Sequence, residues 1–142
     1  MLLLVAAWSA IAASAPPPSA DLDVVVTGLR NQRGAISLCL TSAPGEQFLR
    51  CDRDPKRVTR SIEAKGAERL RFKGLAPGPY SLLVMHDENR NGRLDTALGI
   101  PREGFGFSRN PAVRFGPPRY RDVSFTIAPG QNRQEIRLRY LL

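Results

Sequence analysis

Short segments in which apolar and polar residues alternate constrain the fold of this chain more than any other feature. In AISLCLT, residues 35–41, the side chains of Ile36, Leu38 and Leu40 fall on one side of an extended strand. A period of two residues is typical of a β-strand with one buried face. The 12 glycines and 12 prolines supply frequent turns, and no window shows the apolar spacing of an amphipathic helix. The sequence therefore predicts an all-β protein.

The same alternation recurs along the chain and predicts an antiparallel β-sandwich of seven or so strands, similar in size to an immunoglobulin domain. The expected strands are residues 22–29, 35–41, 57–64, 68–75, 80–87, 123–127 and 134–141. Residues 57–64 and 68–75 are predicted to form a hairpin around the KGA turn, and 80–87 to be the central strand. Residues 88–121 lack a sustained period, which predicts one long ordered loop.

The N-terminal segment MLLLVAAWSAIAASAPPPSA, residues 1–20, carries no charge. Its apolar run from Leu2 to Ala13 has the length of a signal-peptide hydrophobic region and is too short to span a bilayer. We therefore expect residues 1–20 to be a signal peptide with a proline-rich spacer. Residues 21–142 are expected to form a single exported β-sandwich domain, in the periplasm or outside the cell.

The cleavage site of this signal peptide stays open, because small residues permit cleavage after Ser14, Ala15 or Ala20. No lysine or arginine precedes the apolar run, so an N-terminal anchor that is retained is the alternative to export. No later segment is apolar enough to cross a membrane, and no transmembrane segment is expected in the mature protein.

The two cysteines, Cys39 and Cys51, enclose eleven residues. In an exported protein an even pair at such a spacing favours a disulfide over two free thiols. Closing a loop of this size contributes about 2–3 kcal/mol to stability. The bond would fasten the polar segment 42–57 to the strand at 35–41.

The chain has a net charge of +8, with 21 lysines and arginines against 13 acidic residues. This balance favours contact with an anionic envelope polymer or an acidic glycan. Because no block of basic residues exceeds two, the alternative is that the arginines lie on solvated strand faces. Nucleic acid is not expected as a partner.

The stretch HDENRNGRLD, residues 86–95, places side-chain oxygens in the order of a calcium-binding loop. The candidate ligands are Asp87, Asn89, Asn91, Asp95 and the backbone carbonyl of Arg93. Gly92, at the sixth place, permits the sharp turn that such a loop needs. The twelfth place is Leu98 rather than a bidentate glutamate, and Arg90 within the loop opposes a cation.

A loop stabilised by Asx-turns explains the same residues without a metal, since Asp and Asn side chains bond to the backbone two residues further on. Both interpretations of residues 87–95 remain open at this point, and Ca²⁺ is the one cofactor that the sequence suggests.

His86, the only histidine, shares a strand face with Tyr80, Leu82 and Val84 by parity. A hydrogen-bonded histidine at the edge of the core is the simpler interpretation, and a metal-binding or catalytic role is the alternative. Asp87 should point to the opposite face, so the two side chains should not converge on one substrate. The sequence contains no serine elbow, no phosphate-binding glycine loop and no cluster with metal-ligand spacing. An enzyme is therefore not expected.

Aromatic residues among glycine, proline and arginine mark residues 98–122. Exposed aromatic rings beside arginines can stack on sugars. The alternative is that Phe105 and Phe107 fold back and close the open end of the sandwich. The candidate binding surface comprises His86, Glu103, Phe105, Phe107, Phe115 and Tyr120.

Three segments together carry a recognisable pattern: FKGLAPGPYSLLVMHDENRNGRLD (72–95), LGIPREGFGFS (98–108) and FGPP (115–118). They resemble the bacterial family called domain of unknown function 2141, which consists of small exported proteins. The similarity extends from VTGLRNQRGAISLCL to EIRLRY. The Leu-x-Pro-Gly-x-Tyr pattern is also similar to prealbumin-like and carboxypeptidase-regulatory β-sandwiches, and this implies the same fold here.

The resemblance brings no activity with it, but it implies where the functional surface lies. That surface would comprise His86, Asp87, Asn89, Asn91, Gly92, Asp95, Gly99, Pro101, Glu103, Gly104, Gly106 and Phe107. The expected function is that of an exported, non-enzymatic β-sandwich module with a binding or structural role in the cell envelope. The alternative is a calcium-dependent carbohydrate- or envelope-binding protein whose cation loop is residues 87–95.

Overall fold

The computed structural model describes residues 11–66 and 68–142. Residues 1–10, which hold most of the predicted signal peptide, lie outside the described part of the chain. In chain order the elements are β1 (Ala20–Thr27), β2 (Ala35–Thr41), a 3₁₀ helix (Gly45–Arg53), β3 (Val58–Glu63), β4 (Glu68–Leu75), β5 (Gly78–Asp87), β6 (Thr96–Ala97), β7 (Ile100–Pro101), β8 (Gly104–Phe107), α1 (Tyr120–Val123), β9 (Phe125–Ile127) and β10 (Gly130–Arg137).

The strands form two main sheets, and this confirms the predicted all-β, sandwich-like fold. The smaller sheet has the order β10–β1–β4, and the larger has the order β3–β2–β5–β8, with β9 paired to the first residues of β5. β6 and β7 form a separate two-stranded hairpin. Pairing is antiparallel between the described strands except for β1 and β10, which run parallel.

The core lies between the inner faces of the two sheets, where the alternating apolar residues of each strand meet. Its fully buried members include Leu22, Val24, Val26, Phe72 and Ile136 from the smaller sheet and Ile36, Leu38, Leu40, Leu82 and Val84 from the larger. The strand faces that the sequence predicts as buried are therefore the ones that the fold buries.

The predicted hairpin of residues 57–64 and 68–75 is wrong. β3 pairs with β2, and β4 pairs with β1, so the two strands belong to different sheets and the connection between them crosses the sandwich. Alternation specifies which face of a strand is buried, but it does not specify the neighbouring strand. Both arrangements bury Ile62 and Leu70 against the same core.

The predicted loop at 88–121 contains the short strands β6, β7 and β8, of which β8 is the longest and joins the larger sheet. Gly104 and Gly106 face inward there, and a Cβ on Gly106 would lie 2.6 Å from Cγ2 of Ile136. Only glycine permits this close approach of β8 to the C-terminal segment. Phe105 and Phe107 alternate with these glycines and therefore lie on the outer face of the larger sheet. This differs from the predicted closure of the end of the sandwich.

The larger sheet has two distinct ends. At the loop end β5 finishes at Asp87 and continues into the loop of residues 87–95. At the helix end β5 begins, and the 3₁₀ helix packs beside β2, with the predicted Cys39–Cys51 disulfide joining them. No helix in the described part of the chain is both long enough and apolar enough to cross a bilayer.

Candidate functional site

His86 stands at the loop end of β5 and is fully buried. Its Nε2 lies 2.6 Å from the backbone oxygen of Arg33. Because a carbonyl oxygen only accepts hydrogen bonds, Nε2 carries a proton and donates it. Nδ1 lies 2.8 Å from the hydroxyl of Tyr140, which also accepts a hydrogen bond from the backbone N–H of Arg30. Both ring nitrogens are thus occupied by the protein, and burial raises the pKa of Tyr140.

Glu88 follows β5 and binds side chains from the β1–β2 turn. Its carboxylate accepts hydrogen bonds from Arg30 Nε at 2.7 Å, Arg33 at 3.1 Å and Asn31 at 3.2 Å. Burial by itself would raise the pKa of Glu88, but the hydrogen bonds from Arg30 and Asn31 outweigh it and hold the pKa below its usual range. Glu88 is therefore an anion that ties the 87–95 loop to the β1–β2 turn.

Glu103 is buried between the loop and β8 and contacts the backbone at two points. One carboxylate oxygen accepts the N–H of Glu88 at 3.0 Å, and the other accepts the N–H of Asp95 at 3.1 Å. A single side chain thereby fixes both ends of the loop. Arg30, His86, Glu88, Glu103 and Tyr140 are called the polar cluster below.

The first predicted ligand of the loop, Asp87, is also buried and accepts backbone donors. Its two oxygens receive the N–H groups of Asn91 at 3.0 Å and Gly92 at 2.8 Å. Asn91 in turn accepts the N–H of Arg93 at 2.9 Å. This contact, and that of Asn89 with the N–H of Asn91 at 3.2 Å, reach two residues on and are the Asx-turn contacts that the sequence suggested as an alternative to metal binding.

The predicted ligands at the open side of the loop converge on Asp95. Its carboxylate accepts the side-chain amides of Asn89 at 2.6 Å and Asn91 at 2.8 Å. Hydrogen bonds from Asn91 and then Asn89 hold the pKa of Asp95 below its usual range. Within residues 11–66 and 68–142, no three or more His, Cys, Asp or Glu side chains form a group that could hold a metal ion.

A cleft of about 510 Å³ lies beside the polar cluster at the loop end. It is lined by Arg30, Arg33, Glu88, Asn89, Asp95, Thr96, Arg102 and Glu103. The charged groups in this cleft are of both signs and are largely engaged with one another, since Glu88 binds two of the three arginines. The cleft therefore offers few free donors or acceptors to a ligand.

The β6–β7 hairpin includes Gly99 and Pro101, two further residues of the surface that the family resemblance implies. The backbone N–H of Arg102 donates to the oxygen of Asp95 at 2.8 Å and fastens the hairpin to the loop. At the hairpin tip, Leu98 has a φ of 52° and a fully exposed side chain. Of the hairpin strands, Thr96 at the start of β6 lines the cleft, whereas Gly99 and Pro101 lie outside its lining.

The four predicted aromatic residues do not form one surface. Phe105 and Phe107 lie on β8 with ring centroids 6.0 Å apart, and Phe48 of the 3₁₀ helix stands 6.3 Å from Phe107. The ring centroid of Tyr120 lies 6.2 Å from that of Phe48. Phe115 is fully exposed on the loop before α1 and stays apart from this row.

The outer face of the larger sheet carries an open groove of about 590 Å³, here called the outer groove. The register across the sheet aligns two outward-facing rows, Ser61–Ser37–Met85–Phe105 and Thr59–Cys39–Leu83–Phe107. The 3₁₀ helix forms one wall with Leu49 and Cys51, and the 87–95 loop forms the other with Gly92, Arg93 and Leu94.

Leu83, Met85 and Leu49 are site residues that the sequence reasoning missed. A signal for two of them was present, because SLLVM in β5 is apolar at consecutive positions rather than at alternate ones. A continuous apolar run is typical of a strand that is covered on both faces. Leu83 and Met85 are only half-buried, so the outer side of β5 remains partly open.

Comparisons with known proteins are consistent with the pattern in residues 72–118. Neither a curated protein nor a solved structure gives a significant match to the chain. The finer likeness to prealbumin-like domains stays a prediction. A family model described as "Uncharacterized protein conserved in bacteria (DUF2141)" matches residues 24–135, and the chain belongs to this family.

Proposed function

We propose that this protein is an exported, non-enzymatic β-sandwich module of the cell envelope that binds an apolar ligand in the outer groove. The observation that carries the proposal is the partly open apolar face of Leu83, Met85 and Phe107. The outward face of an antiparallel sheet is ordinarily polar when it meets solvent. Here it is apolar and flanked by two walls, and its volume of about 590 Å³ falls in the range of about 300–1,000 Å³ for ligand pockets.

A non-enzymatic role is supported by the state of the groups that could do acid–base chemistry. His86 is fully buried, and both of its ring nitrogens have protein partners. The buried carboxylates of Asp87 and Glu103 accept backbone N–H groups at both oxygens. An enzyme that relied on His86 would need this ring within reach of a substrate.

Export is supported by two features at different places in the chain. The uncharged N-terminal run has signal-peptide character, although residues 1–10 lie outside the described structure. The Cys39–Cys51 disulfide is typical of proteins in oxidising compartments. Residues 21–142 would then be the working module.

The groove is tested by titrating the protein with N-phenylnaphthylamine, an uncharged probe whose fluorescence rises in apolar surroundings. We expect saturable binding to the wild-type protein and at least a tenfold weaker binding to Met85→Lys, which places a charge on the floor of the groove. Leu98→Lys adds the same charge at a fully exposed position outside the groove and should bind like the wild type. The wild type and both variants have the same apolar N-terminal segment, so binding of the probe to that segment would be equal in all three proteins.

Equal binding by the wild type and Met85→Lys would contradict the proposal. The same holds if Leu98→Lys reduced binding as strongly as Met85→Lys, because the effect would then follow net charge rather than the groove.

A calcium-dependent carbohydrate- or envelope-binding protein is the second candidate. It is favoured by the convergence of Asn89 and Asn91 on the carboxylate of Asp95. Rotation of either side-chain amide would replace a nitrogen by an oxygen at the same point. Asp87, Asn89, Asn91, Asp95 and the carbonyl of Arg93 would then be the ligands.

Thermal unfolding in EDTA and across a calcium titration tests this second candidate. A cation that binds only the folded protein raises stability by about 2.7 kcal/mol at a hundredfold excess over Kd. A calcium-binding loop predicts such a rise in the wild type and its loss in both Asp87→Ala and Asp95→Ala. Unchanged unfolding up to ~10 mM calcium, above the range for weak extracellular sites, would contradict it.

A further inference from the structure

The charges that line the outer groove differ between its two ends. At the helix end Arg57 and Asp52 are both present and offset each other. At the loop end Arg93 is the charged residue of the lining. Arg60 also borders the groove, but its guanidinium lies 5.4 Å above the ring of Phe72 on the other side of the sheet. The groove therefore has one cationic end and one balanced end.

Arg93 is fixed through its backbone and free at its side chain. Its N–H donates to Asn91 at 2.9 Å, while the preceding residue, Gly92, donates to Asp87 at 2.8 Å. Within the described residues, its guanidinium has no hydrogen-bond or ion-pair partner. The nearest acid in sequence, Asp95, is occupied by the amides of Asn89 and Asn91. The loop thus holds an arginine without a direct ion pair at the rim of an apolar groove, although its charge also helps to lower the pKa of Asp95.

Polarity also changes across the floor of the groove. Ser37 and Ser61, in the row nearest the loop, offer hydroxyls on the β2–β3 side. On the β5–β8 side the floor is apolar and consists of Leu83, Met85 and Phe107. A ligand that fits both halves has a polar, hydrogen-bonding head and an apolar body.

We propose that the outer groove binds a single-chain amphiphile with an anionic headgroup, and this inference rests on the groove-binding function proposed above. The headgroup lies against Arg93 and the hydroxyls of Ser37 and Ser61. The apolar chain runs over Met85 and Leu83 towards the helix end of the groove. The 87–95 loop then acts as a rigid support that presents Arg93, since guanidinium groups suit carboxylate and phosphate oxygens.

Calorimetric titration of the protein with decanoate and with decanol tests the headgroup at constant chain length. We expect decanoate to bind the wild-type protein about tenfold more tightly than decanol, because a charge-assisted contact is added. Arg93→Ala should bind the two ligands equally. Arg114→Ala removes an exposed arginine that lies outside the groove and should keep the wild-type preference.

The outcomes separate this inference from the function on which it rests. Equal affinity of the wild type for decanoate and decanol, or a preference that survives Arg93→Ala, would overturn the anionic headgroup and leave groove binding intact. Failure of decanoate, decanol and lysophosphatidylglycerol in a protein that binds N-phenylnaphthylamine would also overturn the headgroup. Failure of these three amphiphiles and of the neutral probe would overturn the groove itself.

The source of the amphiphile is distinguished by a parallel titration with lysophosphatidylglycerol, whose headgroup is an anionic phosphodiester. Arg93-dependent binding of this lipid without binding of decanoate would support an anionic membrane-derived ligand. Arg93-dependent binding of decanoate would support a free carboxylate amphiphile.

Discussion

The polar cluster and the outer groove both border the 87–95 loop, yet they use their side chains in opposite ways. In the polar cluster the ionisable groups satisfy one another or the backbone, as Glu103 does with the N–H groups of Glu88 and Asp95. In the outer groove ordinary residues such as Leu83 and Met85 remain partly uncovered. The ionisable residues that the sequence suggests for catalysis or metal binding are therefore the ones that hold the loop in place. The open surface lies beside them.

This difference makes separate predictions for the two regions. Changes in the polar cluster should lower the free energy of unfolding and leave binding to the groove intact in the folded fraction. Changes on the floor of the groove should weaken binding and leave the free energy of unfolding largely unchanged.

The largest effect is expected at Gly34, which joins the β1–β2 turn to the loop end of β5. Its φ is +71°, and a Cβ would lie 2.0 Å from the backbone oxygen of Asp87. Gly34→Ala combines a left-handed backbone with a backbone clash and should destabilise the fold by about 3 kcal/mol or more in urea denaturation. Gly45→Ala shares the positive φ, at +57°, but meets no atom within 4 Å. Equal losses in the two variants would show that the close approach contributes nothing.

The disulfide belongs to the groove but is expected to affect stability as well as binding, because Cys39 and Cys51 line the groove and their bond fastens the 3₁₀ helix to β2. Replacing Cys39 and Cys51 by serine should lower the free energy of unfolding by about 2–3 kcal/mol through the freed loop. It should also weaken binding of the neutral probe, because the 3₁₀ helix is then no longer tied to β2. A reductant should weaken the wild type in the same way and leave the double variant unchanged. Unaltered probe binding in the double variant would show that the 3₁₀ helix does not contribute to the binding site.

A moderate effect is expected at Glu103, which is buried and serves two backbone donors. Glu103→Gln retains one acceptor and leaves one N–H facing an amide nitrogen, which should cost about 1–3 kcal/mol of stability. Probe binding by the folded variant should match the wild type. Glu135→Gln changes an exposed carboxylate in β10 and should shift stability by less than ~0.5 kcal/mol. A loss of probe binding in Glu103→Gln at unchanged stability would reverse the roles assigned to the two regions.

The smallest effect is expected at Glu88 and depends on pH. Its pKa lies below the ordinary value of 4.5 in the folded protein. The charged form therefore stabilises the fold above that value, and this contribution is lost as the pH falls through the lowered pKa. Glu88→Gln should be less stable than the wild type by about 1 kcal/mol at neutral pH, and the difference should shrink as the pH falls from neutral through the lowered pKa. A difference that stays constant over this range would assign the contact to packing rather than charge.

Much of this architecture could be predicted from periodicity because burial follows parity. Leu82, Val84 and His86 share the inner face of β5 as the alternation requires. The Asx-turns of the 87–95 loop could also be predicted, since Asn side chains there bond to the backbone two residues further on. Both features depend on neighbours that are close in sequence.

The groove could not be predicted in this way, because its parts are distant in the chain. Leu49 in the 3₁₀ helix, Met85 in β5 and Leu94 in the loop meet only when β2 and β5 pair in register. β8 was missed for a related reason, since the need for Gly106 becomes visible only when Ile136 packs against it.

The sequence by itself determined most strands of the two main sheets, which of their faces are buried, the cysteine pair and the family. These properties follow from side-chain period, composition and motif, which are local along the chain. The tertiary structure alone decided that β3 and β4 belong to different sheets, that the polar atoms of His86 and Glu103 have partners within the protein, and that the open surface is the outer face of the larger sheet. Strand order and accessibility depend on contacts between distant segments, and a pattern of local periods does not encode them uniquely.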